Sequence, residues 1–257
     1  MRPELNVETR GRGPDLVMLH GWGLHRGVLA PLADALAPRF RLHLVDLPGY
    51  GGNAGSAWAP TFDELVDALA ARLPAAAWLG WSLGGQLSLA LAHRHPDTVR
   101  ALVLLACNPG FVAGGDWDGM PGATFEAFEA GLQHSPEQAL RRFTLLCARG
   151  GRAPGPVRRR LEAACLPAPR PSALAHGLDW LRDHPQRGVL ASLRAPSTWI
   201  AGINDGLVPV AAVRAAALAA PGGRVHVVQG AGHAPFLDAP AAVAAHVVRA
   251  LDGRRVA

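Results

Sequence analysis

From residue 14 to 107, and again from 194 to 252, short apolar runs alternate with longer stretches of helical periodicity. The runs are Leu16–Leu19, Leu42–Val45, Ala76–Leu79, Val99–Ala106, Thr198–Ala201 and Val225–Val228. None shows the apolar–polar alternation of a strand with one wet face. Continuous apolarity over four to eight residues instead marks strands covered on both sides, the condition of a parallel sheet. The intervening periodicity predicts helices over 27–37, 61–72, 83–94, 209–219 and 239–251, the last opened by Asp238 and Pro240. This alternation predicts an α/β chain: a mostly parallel central sheet with helices on both faces.

Residues 108–190 break the rhythm. They open with Asn108-Pro-Gly, Gly114-Gly and Met120-Pro-Gly, then carry amphipathic stretches at 123–133, 136–149, 156–165 and 171–182 with no convincing strand. The expected organisation is therefore a core of residues 1–107 and 191–257, interrupted by a helical cap over 108–190. Such an insertion belongs above the carboxyl edge of the sheet, where parallel sheets bind ligands.

Composition narrows the function classes. Of 257 residues, 49% are hydrophobic and 18% charged, enough for a large core and unlike a disordered chain. No apolar run reaches the ~18–20 residues of a membrane span, and the polar start of the chain has no secretory pattern. Three cysteines, Cys107, Cys147 and Cys165, lie in no Cys-x-x-Cys, so neither a disulfide framework nor a zinc site is expected; a reducing, cytoplasmic setting fits. All 25 basic residues are arginine. Eight of them fall between Arg141 and Arg170 against one acid, Glu162, so this segment carries +7 and the rest of the +5 chain carries −2. The excess is thus one patch on the cap. No base-stacking aromatic lies among the arginines from 149 to 170, so a nucleic-acid partner is not expected.

The chemistry centres on Trp78-Leu-Gly-Trp-Ser-Leu-Gly-Gly, which contains Gly80-Trp-Ser82-Leu-Gly84 between an apolar run and a helix-compatible run. Strand, tight turn and helix are the setting of a nucleophile elbow, in which side chains at Gly80 and Gly84 would clash with the adjoining strand and helix. A serine nucleophile needs a base and a group to orient that base. His233, in Gly230-Ala-Gly-His-Ala-Pro-Phe after the last strand, and Asp205, in Ile203-Asn-Asp-Gly after the strand before it, complete the order Ser82…Asp205…His233. Asp179 and Asp183 fall in the cap and are weaker candidates. Leu19-His-Gly-Trp22-Gly follows the first run as an oxyanion loop would. The backbone N–H groups of Trp22 and Leu83 are the expected oxyanion donors, with His20 shaping the loop. Trp81, Phe125, Phe128, Phe143 and Leu207 are candidates to line an acyl channel, although cap-core packing accounts for the phenylalanines equally well.

These blocks resemble the α/β-hydrolase superfamily over essentially the whole chain. Within it, His20-Gly-Trp-Gly-Leu, Leu42-His-Leu-Val-Asp-Leu-Pro-Gly-Tyr-Gly, Leu79-Gly-Trp-Ser-Leu-Gly-Gly, Asp205-Gly-Leu-Val-Pro and His233-Ala-Pro-Phe resemble the pimeloyl-[acyl-carrier-protein] methyl ester carboxylesterase family of biotin synthesis. The cap diverges more, with Phe128, Arg142 and Phe143 alignable and Arg158, Arg159 and Arg160 matching loosely. The resemblance implies a serine esterase that needs no cofactor or metal, acts as a monomer, and removes methanol from a pimeloyl chain held on acyl carrier protein. The expected substrate-binding residues are Trp81, Phe128, Phe143 and Leu207. The expected carrier-docking residues are Arg142, Arg158, Arg159 and Arg160. A broader short-chain carboxylesterase, or a binding protein that kept the fold without turnover, are the alternative readings.

Overall fold

A computed structural model describes residues 5–252. Its seven strands are β1 (Asn6–Gly11), β2 (Asp15–Leu19), β3 (Arg41–Asp46), β4 (Ala76–Trp81), β5 (Val99–Leu105), β6 (Ser197–Gly202) and β7 (Arg224–Val228). They form one sheet in the order β1-β3-β2-β4-β5-β6-β7, parallel throughout except for β1, which runs antiparallel to β3. All six expected apolar runs are strands. The seventh, β1, was not expected, because Asn-Val-Glu-Thr-Arg-Gly is largely polar and four of its six residues are exposed. It exists through pairing of Asn6–Gly11 against Arg41–Asp46, a long-range ladder that local hydrophobicity does not report.

Helices α1 (Ala30–Leu36), α2 (Phe62–Arg72) and α3 (Leu83–Arg94) connect the first five strands. The chain moves outward from β2 to β3 and then back to β4. Right-handed crossovers therefore put α1 on one face and α2 and α3 on the other. Sequence explains the boundaries locally. Thr61 and Glu64 form a reciprocal capping box at the start of α2, with Thr61 N–H donating to Glu64 Oε2 at 2.8 Å.

Between β5 and β6 run four further helices: α4 (Gly122–His134), α5 (Pro136–Ala148), α6 (Pro154–Ala163) and α7 (Pro171–Asp183). Three of them begin with proline, whose missing N–H costs nothing in a first turn. The chain closes with α8 (Val210–Ala219), the single turn α9 (Pro235–Asp238) and α10 (Pro240–Asp252), which packs on α1. Strands β2, β4, β5 and β6 are buried nearly end to end. The reversal of strand order places the loops after β2 and β4 side by side at the carboxyl edge. No helix among the described residues is long and apolar enough to cross a membrane.

Candidate active site

Ser82 stands alone between β4 and α3, with φ +52° and ψ −114°. Such a conformation costs a side-chain-bearing residue on the order of 1–3 kcal/mol and persists only where its surroundings enforce it. Here glycines make the turn possible. A Cβ at Gly80 would come within 2.3 Å of the Gly84 carbonyl oxygen, and one at Gly84 within 2.6 Å of the Leu19 carbonyl oxygen. The Ser82 N–H is tied to the Leu105 carbonyl at 2.9 Å, which holds the elbow to β5.

The elbow presents Ser82 Oγ 3.2 Å from His233 Nε2. On the far side of the ring, His233 Nδ1 lies 2.9 Å from Asp205 Oδ2, and both side chains are fully buried. Asp205 Oδ1 in turn accepts the N–H groups of Leu207 and Val208 at 2.8 and 2.9 Å. A carboxylate can only accept, so Nδ1 carries the imidazole proton and the Nε2 lone pair is left facing the hydroxyl. The three residues come from three loops, and 123 and 28 residues of chain separate them; only the sheet edge brings them together. Asp179 and Asp183 are turned to Arg182 on the cap surface instead, at 2.8 and 2.9 Å.

The Trp22 and Leu83 backbone N–H groups donate no hydrogen bond within the described residues, Leu83 because it opens α3. His20 is fixed in one neutral form: Nδ1–H donates to the Gly21 carbonyl at 2.8 Å, and Nε2 accepts from the Leu47 N–H at 3.0 Å. Burial lowers its pKa to about 4, with Asp46 pulling the other way. It therefore shapes the loop and is not poised as a base. The loop is also clamped from above. Trp22 Nε1–H donates to the Leu174 carbonyl at 2.8 Å and Tyr50 O–H to the Ala173 carbonyl at 2.9 Å, both at the start of α7.

Over Ser82 lies a narrow apolar cavity whose walls include Trp22, Phe125, Phe128, Phe143 and Leu207. Trp22 meets Phe128 and Phe143 edge-to-face, at centroid distances of 5.3 and 5.0 Å. The channel position expected for Trp81 is corrected by the structure. Its ring is buried behind His233 and against Phe236, and its Nε1–H donates to the His233 carbonyl at 2.9 Å. A buried indole N–H requires an acceptor, and the histidine loop supplies the one within reach. Sequence reasoning missed Phe111, Met120, Leu146, Leu178 and Leu181, which complete the lining. The i, i+4, i+7 spacing of Leu174, Leu178 and Leu181 was the available signal for α7.

Of the arginines singled out, Arg142 lies on α5 and Arg158, Arg159 and Arg160 on α6, all exposed. Arg158 pairs with Glu162 at 2.7 Å, whereas Arg142, Arg159 and Arg160 make no ion pair among the described residues. Arg141, Arg158 and Arg170 edge a separate groove of about 970 Å³ between α5, α6 and α7, floored by Leu140 and Leu174.

Residues 14–240 match the model of the alpha/beta hydrolase fold family. The chain belongs to this family. Among the relatives of this hydrolase, the pimeloyl-[acyl-carrier protein] methyl ester esterase of Xanthomonas campestris pv. campestris is 43% identical over 236 residues, covering 91% of this chain and 93% of that protein. The protein of the same name from Stenotrophomonas maltophilia is 42% identical over 254 residues, covering 96% and 98%. An esterase from Exiguobacterium antarcticum superposes with a TM-score of 0.85 over 95% of this hydrolase and 94% of that chain, at 22% identity, a likeness of fold.

Proposed function

We propose that this hydrolase removes the methyl group from a pimeloyl methyl ester carried on acyl carrier protein, with Ser82, His233 and Asp205 as its catalytic triad. The observation that carries the reading is the unbroken chain from Ser82 Oγ through His233 to Asp205, at 3.2 and 2.9 Å, beneath an apolar cavity. Ser82 Oγ attacks the ester carbonyl while His233 Nε2 takes its proton, and Asp205 stabilises the resulting imidazolium. The tetrahedral oxyanion is received by the N–H groups of Trp22 and Leu83, each such donor being worth about 3 kcal/mol. Methanol departs with the proton from His233, and water reverses the sequence to free the acid.

The names of the relatives support the substrate, and the surface is consistent with it. An acidic carrier would meet Arg142, Arg158, Arg159 and Arg160 on α5 and α6, which raises the association rate in a salt-dependent way. Docking there would hold the thioester outside and thread the acyl chain so that its distal methyl ester reaches Ser82. Position, not intrinsic reactivity, then selects the less reactive of two acyl groups. The test is mass spectrometry of pimeloyl-carrier methyl ester incubated with the enzyme, with Ser82→Ala as the blank. Loss of methanol with the thioester intact is expected. Thioester cleavage, or no reaction alongside rapid turnover of a short nitrophenyl ester, would replace this reading with that of a general carboxylesterase.

A further inference from the structure

At the joint between α5 and α6, Arg149, Gly150 and Arg152 press on the loops that bring Asp205 and His233 to Ser82, and Gly151 presses on Asp238 at the end of α9. A Cβ at Gly232 would come within 2.4 Å of the Arg149 carbonyl oxygen, and one at Gly150 within 2.5 Å of the Asn204 carbonyl oxygen. A Cβ at Gly151 would come within 2.2 Å of Asp238 Oδ1, and one at Gly230 within 2.7 Å of Arg152 Nε. Asn204 Nδ2–H donates to the Gly150 carbonyl at 2.8 Å, and its backbone N–H donates to the Ala231 carbonyl at 3.0 Å. The cap is thus seated directly on the histidine loop.

Within this contact one carboxylate has no part in the triad. Asp238, at the end of α9, accepts the Gly232 N–H through Oδ2 at 2.9 Å, on the residue immediately before His233. Its other oxygen, Oδ1, is buried against Gly151, and the Arg152 backbone N–H also acts on the carboxylate. Burial raises the Asp238 carboxyl above its usual range, against the opposing pull of Gly232 and Arg152. Taking a carboxylate out of water costs free energy unless its acceptors are met; the 2.9 Å hydrogen bond that meets this one is with the loop. That loop has Gly230 at φ +69° and Ala231 and Gly232 after it, so it has little side-chain packing to set its own course. Three tethers fix the backbone around His233: the Asn204 N–H on the Ala231 carbonyl, Asp238 on the Gly232 N–H, and the Trp81 indole on the His233 carbonyl.

We propose that Asp238 is a positioning residue: through the Gly232 N–H, and held in place by Gly151 of the cap joint, it sets where His233 Nε2 stands relative to Ser82. The inference rests on Ser82, His233 and Asp205 forming the triad. A base displaced by about 1 Å can lose on the order of 10²-fold in rate with substrate binding intact. The cap joint thereby shares responsibility for catalysis without touching the substrate.

Hydrolysis of a short nitrophenyl ester by full-length variants, assayed well below each melting temperature, tests this. Asp238→Ala is expected to lower kcat by about tenfold or more with KM within about twofold, and Asp238→Asn, which keeps an acceptor for the Gly232 N–H, to recover to within about threefold of wild type. Gly151→Ala pushes the carboxylate aside without altering its charge. It is expected to cause a similar loss, and the double variant Gly151→Ala/Asp238→Ala no further loss. A carboxylate that merely supports the fold would lower Tm and leave kcat unchanged; that outcome in both single variants overturns the proposal. So does an Asn variant as slow as the Ala variant. If Asp238→Ala does not fold, Asp238→Asn and Gly151→Ala decide the matter. Ser82→Ala, run alongside, separates the two readings: activity surviving there would sink the triad itself, whatever the Asp238 variants do.

Discussion

At Ser82 the requirements of chemistry and of backbone comfort diverge. The left-handed φ of +52° lifts Oγ out of the turn toward His233, and it is maintained by the packing of Gly80, Gly84 and β5 around it. Ser82→Ala should reduce ester hydrolysis by at least ~10³-fold while leaving the far-UV spectrum unchanged. Ser82→Gly should be equally inactive yet melt higher than Ser82→Ala, because glycine adopts that φ without strain. Equal melting temperatures for the two variants would show that the elbow stores no strain. Trp81 teaches a related lesson. Its indole stands behind the histidine and not in the channel, so its truncation would be felt by His233 before it was felt by an acyl chain.

Among the elements, α7 is the one that holds the Trp22 loop. Its first turn accepts the Trp22 and Tyr50 hydrogen bonds, and Gly177 leaves room for the Trp22 ring, since a Cβ there would approach Cδ1 to 2.6 Å. Gly177→Ala should therefore displace the loop bearing the Trp22 N–H, the proposed oxyanion donor, and lower kcat roughly tenfold, a fraction of the ~10²–10³ that losing a whole donor costs. Steady-state kinetics on a short ester would check this, and an unchanged kcat would uncouple α7 from the oxyanion loop. At the opposite end of the sheet, β7 and α10 meet through His226 and His246, whose rings stack at 4.2 Å. Burial lowers both pKa values, with Arg249 adding repulsion to each and Arg224 to His226. The unfolded chain thus binds protons more readily than the folded one. Stability contributed by this pair is complete above about pH 6.5 and falls as pH drops below it toward the folded values. Urea midpoints at pH 7.5 and 5.5 should show that loss, and His226→Gln should shrink it.

Across the whole molecule, charge is segregated. The +7 segment from 141 to 170 sits on the cap, in a chain that is otherwise net negative. Reversing Arg142, Arg159 and Arg160 to glutamate should lower kcat/KM for a carrier-linked ester by about 10–100-fold at low salt, and the wild-type advantage should fade as salt rises. The same variant should keep its activity on a small uncharged ester within about twofold. Equal losses on both substrates would mean that the cap had been damaged, and would remove the docking argument.

What the sequence determined by itself is what neighbouring residues impose on one another. Six strands were legible because a doubly covered strand has to be continuously apolar, and the cap helices because proline starts and 3.6-residue spacing are local facts. The elbow was legible because glycine, serine and glycine at fixed offsets are needed for one tight turn. Asp205 and His233 could be named from their order and their loops, although not their 3.2 and 2.9 Å contacts. Tertiary structure decided everything that depends on residues far apart in the chain. Polar β1 became a strand only by pairing with β3. Trp81 turned to the nearest carbonyl able to satisfy its indole. Phe111, Met120, Leu146, Leu178 and Leu181 joined the cavity wall because the cap folds over the sheet edge. Asp238 acquired its place beneath the histidine loop because Gly151, 87 residues earlier, has no Cβ to occupy the space of the carboxylate. Local sequence specifies which elements form; the surfaces those elements bury against each other specify what each side chain can reach.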